Sequence, residues 1–126
     1  MPFDPMLFVD DVEASSLFYQ RLLDAKSSHG GSEYEMIVDD QKALLLQLHH
    51  VDGDEHGGIL AAGVPRGSGV LLYFRVADIR EAYRRAQGMG ARIVDEPAFI
   101  DKAGHTEFVV RDPDGYAIAL FQRGRH

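Results

Sequence analysis

Apolar residues along this chain follow two spacings, alternate positions that mark strands and steps of three and four that mark helices. Pro5 to Val9 is a short apolar run and predicts a buried strand. Asp11 can cap a helix, because its carboxylate can accept the free amides of a first turn. Ser15, Phe18, Tyr19 and Leu22 then fall on one helical face, with Phe18 and Tyr19 expected in the contact between helix and sheet. His29-Gly-Gly-Ser32 breaks the chain. Tyr34 to Val38 and Ala43 to His49 predict two strands joined through Asp39-Asp40-Gln41-Lys42.

Residues 50–69 carry no such pattern and are rich in glycine and short polar residues, as in a connecting segment or a flap. After them the pattern restarts. Val70 to Val76 predicts a strand, and Asp78 an N-cap with Glu81 at the capping-box position. Ile79, Ala82, Tyr83 and Ala86 form an apolar helical face that ends at Gly88 and Gly90. Ala91 to Val94 predicts a short strand. Glu107 to Val110 and Tyr116 to Phe121 predict a hairpin across Asp112-Pro-Asp-Gly115. Proline presets that turn, and glycine supplies the positive φ.

The halves match. Val9-Asp-Asp11 corresponds to Val76-Ala-Asp78, and Glu35, Asp40 and Gln47 correspond to Glu107, Asp112 and Ala119 at identical spacings. Such self-similarity predicts a duplicated strand–helix–three-strand unit. The expected organisation is one α+β domain over 1–126, with module one at 4–50, a linker at 51–68 and module two at 69–122.

Composition narrows the function classes. A chain of 126 residues buries roughly two-thirds of its unfolded surface and needs no staple. It contains no cysteine, which removes disulfides, thiolate metal sites and a cysteine nucleophile together and fits a reducing cytoplasm. No apolar run approaches the ~18 residues of a membrane helix, so no membrane partner is expected. Thirteen basic against twenty acidic residues give a net charge of −7. The basic residues Arg80, Arg84 and Arg85 lie on the solvent face of the second helix, so no nucleic-acid partner is expected; the acid excess suits a cationic or neutral small molecule.

Two stretches resemble the vicinal oxygen chelate superfamily of glyoxalases, bleomycin-resistance proteins and extradiol dioxygenases. One is Val9-Asp-Asp-Val-Glu-Ala-Ser15 with Phe18-Tyr19 and Leu22-Leu23; the other is Phe108-Val-Val-Arg-Asp-Pro-Asp-Gly-Tyr116 with Leu120-Phe121. The resemblance implies tandem βαβββ modules forming curved mixed sheets around a central cavity, and a homodimer. It names a fold and a type of pocket rather than a reaction. Metal-dependent members take ligands from the first and last strand of each module. Carried onto this chain, those positions are Asp4, Gln47, Leu71 and Ala119. A transition metal wants three or four converging nitrogen or oxygen donors, and Leu71 and Ala119 donate nothing. No metal and no other cofactor is expected, which puts glyoxalase and dioxygenase chemistry in doubt.

Anchored on those positions, strand alternation assigns the face that looks into the cup. It carries Asp4, Met6 and Phe8; Glu35 and Ile37; Leu45, Gln47 and His49; Leu71, Tyr73 and Arg75; His105, Glu107 and Val109; and Ala117, Ala119 and Phe121. The opposite parity, with Leu7, Val9, Leu72, Phe74 and Val76, should meet the helices. The expected ligand-binding residues are Phe8, Glu35, Gln47, His49, Tyr73, Arg75, His105 and Glu107, a mixed aromatic and polar lining of the kind small-molecule sites use. For Glu107 the competing expectation is a salt bridge to Arg75, and for Arg75 a clamp on a ligand carboxylate. His49-His50 and His56 flank an acidic loop, but adjacent strand residues point to opposite faces and would not chelate together.

The expected function is a metal-free small-molecule-binding protein of the glyoxalase/bleomycin-resistance type, sequestering an antibiotic or metabolite. The alternative is an enzyme: a glyoxalase-like lyase or isomerase, or a dioxygenase, with Glu35, Glu107 or a histidine as base in a metal-free version. No catalytic residue is assigned.

Overall fold

The computed structural model describes residues 2–51, 67 and 70–126. Most of the linker, including His56, lies outside the described residues. Two compact units divide the chain, Met1–Arg66 and Gly67–His126.

The first unit contains β1 (Met6–Val9), α1 (Val12–Leu23), β2 (Lys26–Ser27), β3 (Tyr34–Val38) and β4 (Leu44–His50). The second contains β5 (Leu71–Arg75), α2 (Ile79–Gly88), β6 (Arg92–Ile100), β7 (His105–Arg111) and β8 (Ala117–Arg123). Each is a four-stranded mixed sheet with one helix, in the orders β1-β4-β3-β2 and β5-β8-β7-β6. β1 runs parallel to β4 and β5 parallel to β8, while the other neighbours are antiparallel. A parallel neighbour needs a long crossover, and in each unit the intervening helix supplies it. The α+β class and the βαβββ order of both halves are therefore as the sequence predicted.

Both helices start where their caps predict. The Asp11 carboxylate accepts from the Ala14 amide, and the Asp78 carboxylate from the Glu81 amide. α1 lies against β3 and β4, burying Val12, Tyr19 and Leu22 beside Leu7, Val9, Ile37, Leu46 and Leu48. α2 buries Ile79, Ala82 and Ala86 in a unit whose core also holds Phe108, Val110, Ile118 and Leu120. Each fully buried leucine or isoleucine contributes ~1.5–3 kcal/mol. The Tyr83 ring meets Phe108 at 5.1 Å between centroids, tying α2 to β7.

Two strands differ from expectation. β2, at two residues, is too short to leave a pattern. β6 runs on to Ile100, past the expected end at Val94. Its pairing with β7 shifts between Ile93 and Asp95 and again between Asp95 and Ala98. Those irregularities admit Pro97 and the polar Asp95-Glu96 into an edge strand, where a proline costs no needed hydrogen bond.

Candidate functional site

The site rests on which side chains each sheet turns away from its helix. In the second unit the sequence parity holds. Tyr73 pairs with Ala119, Arg75 with Phe121, Glu107 with Phe121 and His105 with Arg123, so these residues share a face. Leu72, Phe108, Val110, Ile118 and Leu120 alternate onto the helix side. On the open face Tyr73 Oη donates to Glu107 Oε1 at 3.1 Å, and His105 Nε2 lies 2.6 Å from the same oxygen. Phe121 packs against both the His105 and Tyr73 rings, at 4.8 and 5.7 Å. Arg75 lies over Phe121, its guanidinium carbon 5.8 Å from the ring centroid. Burial, then the hydrogen bond and negative charge of Glu107, push the Tyr73 phenol up, so it stays protonated and donates. The expected Arg75–Glu107 salt bridge does not form; Glu107 is engaged by His105 and Tyr73 instead.

In the first unit one of the eight expected residues is on the wrong side. Phe8, Gln47 and His49 share the open face, and their strand partners there are Tyr34, opposite His49, and Met36, opposite Gln47. Glu35 points the other way, toward α1. It is 3% exposed, and its carboxylate accepts from Ser16 Oγ (2.8 Å), Ser27 Oγ (2.7 Å) and the amides of His29, Gly30 and Met36. Burial opposes its charge, but the donors from Gly30, Ser27, Ser16 and His29 outweigh burial and hold the carboxyl below the usual range.

A one-residue bulge causes the inversion. β3 and β4 pair Ile37 with Leu46 and then Val38 with Leu44, leaving Leu45 extra. The turn before it matches the second module at Asp39, not at Asp40. Asp39 Oδ1 accepts from the Gln41 and Ala43 amides, as Asp112 Oδ1 accepts from those of Asp114 and Tyr116. Lys42 takes the positive φ, 66°, at the place where Gly115 has 95°. Tyr34 is thus the counterpart of Glu107, and Glu35 that of the buried Phe108. Gln47 still faces outward like Ala119, because Leu45 restores the count after the turn.

The open face of the first unit joins its own polar groups. Tyr34 Oη donates to Gln47 Oε1 at 2.5 Å, and Gln47 Nε2 donates to the Asp4 carbonyl at 3.2 Å. His49, 6% exposed, sets Nδ1 2.8 Å from the His50 carbonyl, and its ring lies 5.5 Å from Phe8 and 6.5 Å from Tyr34. The His29 ring meets Tyr34 edge-on at 5.0 Å. Burial first, then the charges of Asp4 and Glu35, raise the Tyr34 phenol. Sequence reasoning missed Tyr34, Met36 and His29. One available signal was Ser16, a polar residue on the buried stripe of α1 that calls for a polar partner across from it.

The four positions that a metal would use do not fit one. Leu71 and Ala119 are hydrocarbon, and the Gln47 carboxamide is engaged at both its oxygen and its nitrogen. Among the described residues no group of three or more His, Asp or Glu could hold a metal ion.

The family model described as Glyoxalase/Bleomycin resistance protein/Dioxygenase superfamily matches residues 4–120. No curated protein matches the sequence. Among solved structures, the chain is similar to a bleomycin resistance determinant encoded on the transposon Tn5, with TM-score 0.71, 23% identity and 98% of each chain covered. It is similar to a protein of unknown function from Agrobacterium tumefaciens, with TM-score 0.78, 23% identity, and 97% of this chain and 94% of that chain covered. It is also similar to TioX from Micromonospora sp., with TM-score 0.71, 16% identity, and 100% of this chain and 98% of that chain covered. At these identities the solved structures carry the fold alone. The family match takes in both βαβββ modules, and the chain belongs to the Glyoxalase/Bleomycin resistance protein/Dioxygenase superfamily.

Proposed function

We propose that this chain is a small-molecule-binding protein of the glyoxalase/bleomycin-resistance type that works without a transition metal and sequesters an antibiotic or metabolite. The observation that carries the reading is the pairing of two facts on one face of the second sheet. Leu71 and Ala119 offer hydrocarbon where a metal would need donors, while Tyr73, His105 and Phe121 form an aromatic surface beside Arg75 and Glu107. Aromatic walls with a few placed polar groups are what a small organic ligand requires. The resistance determinant on Tn5 has the same fold, which adds support. Phe8, Gln47, His49 and Tyr34 form the corresponding surface of the first unit. We place the protein in the cytoplasm as a homodimer.

A second reading has one observation in its favour. His105 Nε2 is held by Glu107 at 2.6 Å, the arrangement that orients a histidine base, so a metal-free lyase or isomerase is the alternative. A thermal-shift screen over antibiotics and metabolites, run with and without chelator, tests the binding reading, because a ligand of the folded state raises apparent stability. Hits that survive chelation, with no product by mass spectrometry, support sequestration. Turnover supports the enzyme, and one transition metal held per chain by elemental analysis sinks the metal-free premise of both.

A further inference from the structure

The equivalent positions of the two open faces carry opposite chemistry. Phe8 corresponds to Arg75, His49 to Phe121, and Tyr34 to Glu107. In the first unit Tyr34, Gln47 and the Asp4 carbonyl satisfy one another. In the second unit one oxygen of the carboxylate takes two hydrogen-bond partners, and the guanidiniums of Arg75 and Arg123 take none among the described residues. Glu107 Oε1 already takes both Tyr73 Oη and His105 Nε2. The Arg75 side chain has no ion pair or hydrogen bond among the described residues, only its place over Phe121. Arg123, opposite His105 and on the same face as Phe121, also has no side-chain ion pair among them. Tyr73, two residues from Arg75 on the same face of β5, is 48% exposed, so its ring is available for contact.

We propose that the open face of the second sheet binds a planar organic carboxylate, its ring against Phe121 and Tyr73 and its acid group on Arg75. This names the ligand class for the binding reading above and rests on it. A guanidinium already in place over a ring can take a carboxylate through two parallel N–H donors, while the ring surface covers the ligand's apolar body. Arg123 adds a second positive charge next to Phe121. The chain's net charge of −7 argues for a cationic ligand, but it is a property of the whole surface; the groups facing the ligand decide, and around Phe121 two guanidiniums, Arg75 and Arg123, stand against the one carboxylate of Glu107.

The test uses ligand-observed NMR titration of the full chain with benzoate, 1-naphthoate, benzamide and benzylamine at millimolar concentration. The two carboxylates should bind, with naphthoate tighter, and the amide and amine should bind at least ~10-fold more weakly. Arg75→Gln should weaken naphthoate ~10- to 100-fold, Arg75→Lys less, and Arg123→Gln by a few-fold. Phe121→Leu should weaken naphthoate more than benzoate. Circular dichroism establishes that each variant is folded, and Arg75 is exposed enough that its replacement disturbs no core. Unchanged naphthoate affinity in folded Arg75→Gln, or a preference for benzylamine, overturns the carboxylate assignment and leaves the binding-protein reading standing. If no probe binds while the antibiotic and metabolite screen gives hits, this assignment again fails alone. If neither gives a ligand, the binding-protein reading fails with it.

Discussion

Replacing Glu35 by glutamine isolates what the buried carboxylate does. The change preserves shape and removes one negative charge from a site with five donors: two serine hydroxyls and three backbone amides. The amide oxygen of glutamine can still accept from the His29, Gly30 and Met36 amides. Its nitrogen must face Ser16 and Ser27, whose hydroxyls would have to turn and accept, and Ser16 Oγ already accepts from Gln20 Nε2. A hydrogen bond to a charged group contributes about 1.5–3 kcal/mol against 0.5–1.5 for a neutral pair, a difference partly offset by relief of the carboxylate's desolvation. The expected net loss is ~2–3 kcal/mol at pH 7, a large share of a stability of roughly 5–15 kcal/mol. The pH dependence has a definite sign. The carboxyl of folded Glu35 is held below its ordinary range, so its contribution is fully present above the unfolded value of about 4.3. It is lost as pH falls through the lowered folded value. Urea unfolding of wild type and Glu35→Gln at pH 7 and near pH 3 should therefore show a gap that narrows in acid. A gap below ~0.5 kcal/mol at pH 7 that does not change with pH would refute the reading of Glu35 as a pin between β3 and α1. Weakened ligand binding at unchanged stability would return Glu35 to the site.

The turn register is open to a direct comparison. Asp39→Ala removes the side-chain acceptor of the Gln41 and Ala43 amides and should cost ~1–2 kcal/mol, whereas Asp40→Ala loses only an exposed 3.9 Å ion pair with Lys26 and should cost under ~0.5 kcal/mol. The reverse order in urea denaturation would place the turn at Asp40 and restore Glu35 to the open face. The protein should scatter light as a particle of twice the 14.0 kDa chain mass, since β5 is an edge strand of its sheet and leaves a row of backbone groups to pair. A single-chain mass across micromolar concentrations contradicts the dimer.

Much of this protein is written locally. Asp11 and Asp78 start helices because a side-chain acceptor three residues before a free amide acts within one turn. The duplication and the Asp112-Pro-Asp-Gly115 turn are visible as spacings in the chain, and alternation along β5, β7 and β8, anchored on the positions the family resemblance supplies, assigned Tyr73, Arg75, His105 and Glu107 to one side from sequence. Glu35 was not legible in the same way. Its face depends on which of two adjacent aspartates closes the turn and on the extra Leu45 in β4, and both are properties of pairing between strands. A shift of one residue turns every side chain of β3 over, which moved Glu35 to the helix and brought Tyr34 out. Pro97 hid the second half of β6 for a related reason, because an edge strand tolerates what an isolated strand pattern forbids. The partners of Glu107 were also decided in three dimensions. Its own strand carries His105 and a distant one carries Tyr73, and their bonds to a single oxygen leave Arg75 without an acidic partner. Alternation along a strand is a local rule, whereas register and the choice among competing donors are set by the neighbouring strands, which only the folded sheet brings together.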